Sequence, residues 1–251
     1  MNKIIPLLLA VVLVSGCSFE KPLHFNTKTL TQEDFDLCTN SSCPTINIKY
    51  LEAVENDKKS KSVNLKIVDV LINKIIAGND NSIEFQNIQE SLIYFINDFK
   101  KYQRDFGNSF ISYDVDLFMR LLYQSEVFLS TEVNYYLFTG GAHGYNGSTF
   151  LNFDAQTGAY LDNSQLFLNE KALLEYCELK FREIYGIDHN RSINSTGFWF
   201  ENNTFHLPET IGFTETEMIL HYNQYEIASY AEGPIILNIP ISEVEQYIKY
   251  R

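Results

Sequence analysis

Residues 135–150 read YYLFTGGAHGYNGSTF, and the fold turns on this stretch. Val133, Tyr135, Tyr136, Leu137 and Phe138 are β-branched or aromatic, and Thr149 to Phe153 return to that character. Two antiparallel strands are therefore expected on either side of a long glycine-shaped loop. Gly140, Gly141, Gly144 and Gly147 mark backbone that needs unusual dihedrals or close approach, because glycine alone enters positive φ without steric cost. The loop presents His143. Its imidazole is either a ligand contact or general base, or a structural ring whose nitrogens satisfy loop carbonyls. With no partner residue identifiable nearby, the structural role is favoured.

Working outward, Leu23 to Leu30 and Thr45 to Leu51 read as strands, and Lys58 to Lys61 as a polar hinge. Leu65, Val68, Leu71, Ile72, Ile75 and Ile76 then recur at helical spacing, with Gly78 as a stop. Asn81 with Glu84 is a candidate cap for a second helix. Its apolar face runs from Phe85 through Ile88, Leu92, Phe95 and Phe99 to Phe106. Phe110 to Tyr123 and Glu126 to Phe138 alternate as strands, and Asp154 to Gly158 is a hairpin turn. Asp162 opens a short helical turn, and Asn169 or Glu170 a longer helix closed by Gly186. Strands are expected again at Thr204 to Leu207, Met218 to Tyr222 and Ile235 to Ile239. Ser242 and Glu245 stand at capping-box spacing before a last helix from Glu243 to about Lys249. Helices mixed with hairpin-linked strands define an α+β protein, with helices packed on one face of antiparallel sheet.

The first 16 residues have a basic start at Lys3 and an apolar run from Ile4 to Val14 that is too short to span a bilayer, which is the pattern of a signal peptide. Leu13 to Cys17 (LVSGC) resembles the bacterial lipobox. That resemblance implies cleavage before Cys17 and lipidation of its thiol, which would hold the chain at a membrane. The expected division is then 1–16 signal peptide, 17–44 anchor, tether and first strand, 45–109 an α+β subdomain, and 110–251 a second one.

A hydrophobic content of 45% supports a real core, and a net charge of −13 argues against nucleic acid and favours either cationic partners or simply solubility. Cys38 and Cys43 are close enough for a disulfide in an oxidising compartment. Closing so short a loop contributes about 2 kcal/mol in the chain-entropy model. Cys177 reads as a buried thiol on a helix. No histidine stands at ligand spacing to these cysteines, so neither a metal nor another cofactor is expected.

The chain has no G-x-S-x-G elbow, P-loop, dinucleotide fingerprint or H-E-x-x-H. His24, His143, His189, His206 and His221 are scattered. Carboxylates are plentiful, but none are singled out as a glycosidase pair, and Asp154 and Glu226 read as turn and loop residues.

Two runs carry a family resemblance: Thr139 to Gly144 (TGGAHG) with Asn152-Phe153-Asp154 and Thr157-Gly158, and Tyr225 to Pro234 (YEIASYAEGP) leading into Ile235 to Pro240. Together they resemble the extracytoplasmic domain of unknown function shared by the lysozyme-sensing anti-sigma factor RsiV and the N-terminal region of the peptidoglycan deacetylase PdaC. Ile48-Lys49-Tyr50 and Val70 to Ile76 are similar to the companion domain that precedes it. The chain shows neither the sigma-binding segment and membrane helix of the anti-sigma factor nor the metal-binding motifs of a deacetylase. The resemblance thus implies an envelope-facing recognition module, with peptidoglycan or a cationic protein such as lysozyme as partner. Gly140, Gly141, His143, Gly144, Tyr145, Trp199, Tyr225, Glu226 and Tyr230 are the candidate binding residues, the aromatics because their rings stack on sugar faces. The competing readings are a wall-modifying enzyme with His143 as acid or base, and an envelope scaffolding lipoprotein.

Overall fold

The computed structural model describes residues 22–39, 41–77, 83–107 and 112–250. The signal sequence, Cys17, Gly78 and Asn81 lie outside the described residues. Strands β1 (Phe25–Thr31) and β2 (Thr45–Ala53) form an antiparallel pair. Helices α1 (Lys58–Ile75) and α2 (Ile88–Phe106) follow, then β3 (Asp114–Gln124), β4 (Phe128–Phe138), β5 (Tyr145–Asp154) and β6 (Tyr160–Leu161). These strands make one six-stranded sheet in sequence order. It is antiparallel except between β2 and β3, which run parallel, so the sheet is mixed. A parallel neighbour requires a crossover, and the α1–α2 pair supplies it.

A short helix α3 (Asn163–Leu166), the longer α4 (Glu170–Ile184), and strands β7 (Thr210–Phe213), β8 (Glu217–Tyr222) and β9 (Ile235–Pro240) complete the second part, with α5 (Ile241–Val244) after them. The last three strands form a separate antiparallel sheet. The architecture is α+β.

Alternation explains how the layers stack. On β4, Leu129, Val133, Tyr135 and Leu137 face α1 and α2, where Val63, Ile67, Leu71, Ile75, Leu92, Phe95 and Phe99 complete a core. The intervening residues Ser130, Glu132, Asn134 and Tyr136 point to the other face, against which β7 lies. There the Phe213 N–H donates to Ser130 Oγ at 3.1 Å and Asn152 Nδ2 to the Ile211 carbonyl at 2.8 Å. A second core joins the small sheet to α4 through Phe181, Cys177 and Tyr222. The first core draws on residues 23–155 and the second on Phe128 and residues 161–248, while β3 to β6 continue the sheet begun by β1 and β2.

Four local expectations are corrected. Lys58 to Lys61 is the first turn of α1 rather than a hinge, because Asp57 caps it by accepting the Ser60 N–H at 2.7 Å. Helix α2 is capped by Asn87, whose side chain holds Glu90 N at 2.9 Å while Glu90 reaches back to Gln86 N; Glu84 precedes the helix. Thr204 to Leu207 forms no strand, since Phe205 is drawn into the ring cluster around Phe181, and the unpredicted strand is Thr210–Phe213. The C-terminal helical segment starts at Ile241 without a side-chain cap, is α-helical only to Val244, and ends at Tyr247 rather than Lys249. A 3-10 turn over Glu245–Tyr247 follows directly, and beyond it Lys249 N donates to the Leu166 carbonyl.

Cys38 and Cys43 form a disulfide. Cys177 is a free, fully buried thiol, pushed up to about 12 by that burial. Among the described residues no helix is long and apolar enough to cross a membrane.

Candidate functional site

Strands β4 and β5 pair down to Leu137↔Tyr145, leaving residues 139–144 as the corner. Gly140 and Gly141 sit at φ 93° and 103°, the left-handed region where a side chain is strained. Gly147 serves a different need: a Cβ there would stand 2.4 Å from both Asn223 Oδ1 and the Tyr135 hydroxyl.

Asn223 is the joint between the two sheets. Beyond its short pairing with β6, β5 would be an open edge whose outward amides and carbonyls alternate along the strand. Asn223 Oδ1 accepts Ser148 N at 2.9 Å and its Nδ2 donates to the Ser148 carbonyl at 2.9 Å, so one side chain acts as a strand neighbour. Two residues on, Phe150 N donates to Thr210 Oγ1 at 2.6 Å.

Next to this joint a cleft of about 460 Å3 opens between the end of α1, β5 and the loop after β8. Tyr135, Tyr145, Tyr160 and Tyr225 line it with Lys74, Glu209, Gln224 and Glu226. Glu226 closes the loop by accepting Glu209 N at 2.8 Å on one oxygen and Asn223 N at 2.9 Å on the other. Burial raises its carboxyl above the usual range, and these two amides oppose the rise. Lys74 holds its ammonium 4.1 Å from the centre of the Tyr135 ring. Burial lowers its pKa, with Glu209 opposing. Tyr135 is raised by burial and by its contact with the Tyr145 hydroxyl.

From the cleft a ledge of rings runs outward. Tyr225 packs 5.6 Å from Tyr230, which stacks on His143 at 4.3 Å. His143 Nδ1 lies 2.9 Å from the Gly144 carbonyl, an acceptor only, so this nitrogen carries the proton. The Tyr230 hydroxyl donates to the same oxygen at 3.4 Å. Tyr225 is 54% exposed and sits at φ 70°, a conformation costly for an aromatic residue.

The structure thus gathers His143, Gly144, Tyr145, Tyr225, Glu226 and Tyr230 around one corner, with Gly140 and Gly141 shaping the loop. Trp199 is tied by its backbone N–H to the Ile227 carbonyl at 3.0 Å but does not line the cleft. Sequence reading missed Lys74, Glu209 and Asn223. Lys74 carried a faint signal, as a charge one residue before fully buried Ile75 at the end of an apolar helix face. Among the described residues no group of three histidine, cysteine or acidic side chains is placed to hold a metal ion.

His221, on β8, is a second omission. The residue is 6% exposed and its buried Nε2 has no hydrogen-bond partner. Burial lowers its pKa from the ordinary 6.5, and Glu132 opposes the shift. Glu132, itself buried, is held by Arg120 Nε at 2.5 Å. A base with a depressed folded pKa takes up its proton more readily in the unfolded chain. Stability from this group is complete above about pH 6.5 and is lost as pH falls toward the folded value. Glu226 has the opposite sign: its raised pKa contributes most below about pH 4.5 and loses that contribution as pH rises. Comparing the wild type with His221→Gln separates the two. Between pH 7.5 and pH 5.5 the wild-type urea midpoint should fall further than the variant's, and parallel pH slopes would refute the assignment.

The fold and its side-chain-capped joint define an α+β protein of two sheets with a tyrosine-lined cleft at their junction. Two family models cover most of it: Deacetylase PdaC matches residues 37–146, and the protein of unknown function DUF3298 matches residues 164–242. The chain therefore carries a PdaC-type domain followed by a DUF3298 domain. Two solved structures share the fold. A DUF3298 family member from Bacteroides fragilis has 18% identity and a TM-score of 0.66, covering 92% of this chain and 96% of that one. A DUF3298 family protein from Pseudomonas aeruginosa has 20% identity and a TM-score of 0.61, covering 92% and 97%. No curated protein matches the chain. The PdaC-type domain suggests an extracytoplasmic location.

Proposed function

We propose that this protein is a non-catalytic binding module of the bacterial envelope, tethered by lipid on Cys17, that recognises peptidoglycan-type glycan or a wall-active cationic protein such as lysozyme. The observation that carries the reading is the row of rings from His143 through Tyr230 to Tyr225, continuous with the cleft that holds Tyr145 and Glu226. Exposed tyrosines bind through a flat apolar face and a polar tip, the combination a sugar ring or a protein surface requires. Gln224 adds a polar side chain to the same cleft wall. His143 serves this ledge as a stacked ring whose Nδ1 is engaged by backbone. The net charge of −13 favours a cationic protein through long-range attraction.

Calorimetric titration with soluble muropeptides and with lysozyme, each at low and high salt, tests the proposal. Binding of lysozyme should weaken with salt, whereas glycan binding should change little. Tyr225→Ala should reduce affinity for the true ligand by about tenfold, the equivalent of about 1.4 kcal/mol. Absence of heat with both partners would overturn the reading.

A further inference from the structure

A second, chemically different cleft lies on the other side of the residue 145–148 segment, with a volume of about 410 Å3. Asp116, Asn134, Tyr136, Asn146, Ser148 and His221 supply its polar wall, and Pro234 closes one end. These residues follow from sheet register. Asp116, Tyr136 and Asn146 are cross-strand partners in one row, and Asn134 and Ser148 in the next, all on the face away from α1 and α2. The small sheet covers only part of that face, and His221 on β8 is the side chain that meets it at the boundary.

The hydrogen-bond inventory narrows the ligand. Ser148 Oγ donates to Asn134 Oδ1 at 2.7 Å, which orients the amide and leaves its Nδ2 protons available. Asp116 accepts Asn47 Nδ2 at 3.0 Å on Oδ2, leaving Oδ1 as an acceptor. His221 is a buried residue at the edge of this cleft, 6% exposed. No lysine or arginine lines the cleft, which disfavours an anion, and a single carboxylate does not make a cation site. The Tyr136 ring is 40% exposed and provides an apolar floor. Amides, a hydroxyl, one carboxylate oxygen and an imidazole around an aromatic face suit a neutral ring with hydroxyl and acetamido edges.

We infer that this cleft, lined by Asn134, Ser148, Tyr136 and His221, is a second ligand site that takes a neutral saccharide ring, distinct from the tyrosine ledge although Tyr135 lines both clefts and the Tyr136 ring packs against Gly144. It deepens the envelope-glycan reading and rests on it for the class of ligand, but not for the place where the ligand binds.

Calorimetry of the full-length chain with triacetylchitotriose, a soluble neutral oligomer of N-acetylglucosamine, decides the matter. The wild type should bind at two sites, and Tyr225→Ala and Tyr136→Ala should each retain one. Tyr225→Ala/Tyr136→Ala should bind none. Asn134→Ala is a second probe that leaves the 139–144 loop untouched, and it should weaken the Tyr225→Ala variant's remaining site by tenfold or more. A single site that disappears with Tyr225→Ala and is unchanged in Tyr136→Ala and Asn134→Ala overturns this inference and keeps the proposed ledge. A single site that disappears with Tyr136→Ala but survives Tyr225→Ala keeps the inference and removes the ledge as a glycan site. No binding at millimolar trisaccharide overturns both for glycan.

Discussion

Phe181→Ala should destabilise the protein by about 3–5 kcal/mol, the range for removing a large aromatic from a closed core. Phe181 is fully buried on α4 and stands at the centre of a ring cluster. Tyr185, Phe198, Phe200 and Phe205 surround it at centroid separations of 4.6, 4.8, 5.2 and 5.5 Å, and Tyr222 of β8 lies at 6.3 Å. Several of these contacts are edge-to-face, so truncation removes specific ring geometry as well as apolar area. Collapse into the void is limited because the neighbours hold other partners: the Tyr222 hydroxyl donates to the His206 carbonyl at 2.6 Å, and Asn194 clasps Phe200 through both its N–H and its carbonyl. Urea denaturation followed by tyrosine fluorescence measures the change. A loss below about 1 kcal/mol would mean that the cluster relaxes freely, contrary to dense packing.

The cluster also shows where sequence reading stops. The α1 and α2 faces were legible because helical periodicity is local: Ile67, Leu71 and Ile75 recur within one element. The glycine corner was legible for the same reason, and its flanking strands pair as the aromatic runs suggest. Thr204 to Leu207 misled because β propensity describes a residue and not its neighbours; Phe205 has strand character, yet its ring belongs to a three-dimensional cluster. Thr210–Phe213 went unseen because all four residues are buried and show no alternation. The parallel register of β2 on β3 depends on a partner about seventy residues away, beyond any local pattern. The candidate site divides in the same way. His143, Tyr225 and Tyr230 stood in recognisable runs, whereas His221 occupies an outward position of its strand and is buried only because a second sheet covers it.

Asn223→Ala is expected to loosen the joint between the sheets and empty the cleft of ligand at the same time. The substitution removes both partners of Ser148, whose N–H and carbonyl lie on a residue that is itself buried. Each group left unpaired costs about 1–3 kcal/mol. Gly147→Ala reaches the same joint from the other side. Its new Cβ would meet Asn223 Oδ1 and the Tyr135 hydroxyl, both at 2.4 Å, and relieving such overlap costs about 1–3 kcal/mol. Because one of the two clashing atoms belongs to Asn223, the two costs cannot be independent. The Gly147→Ala/Asn223→Ala double variant should be destabilised by less than the sum of the singles, with a coupling of about 0.5–3 kcal/mol in a double-mutant cycle. A local defect in β5 alone would give additive losses. Coupling, together with weakened ligand binding in Asn223→Ala, would follow if that amide seats the small sheet against the large one and so sets the distance between Tyr145 on one and Tyr225 beside the other.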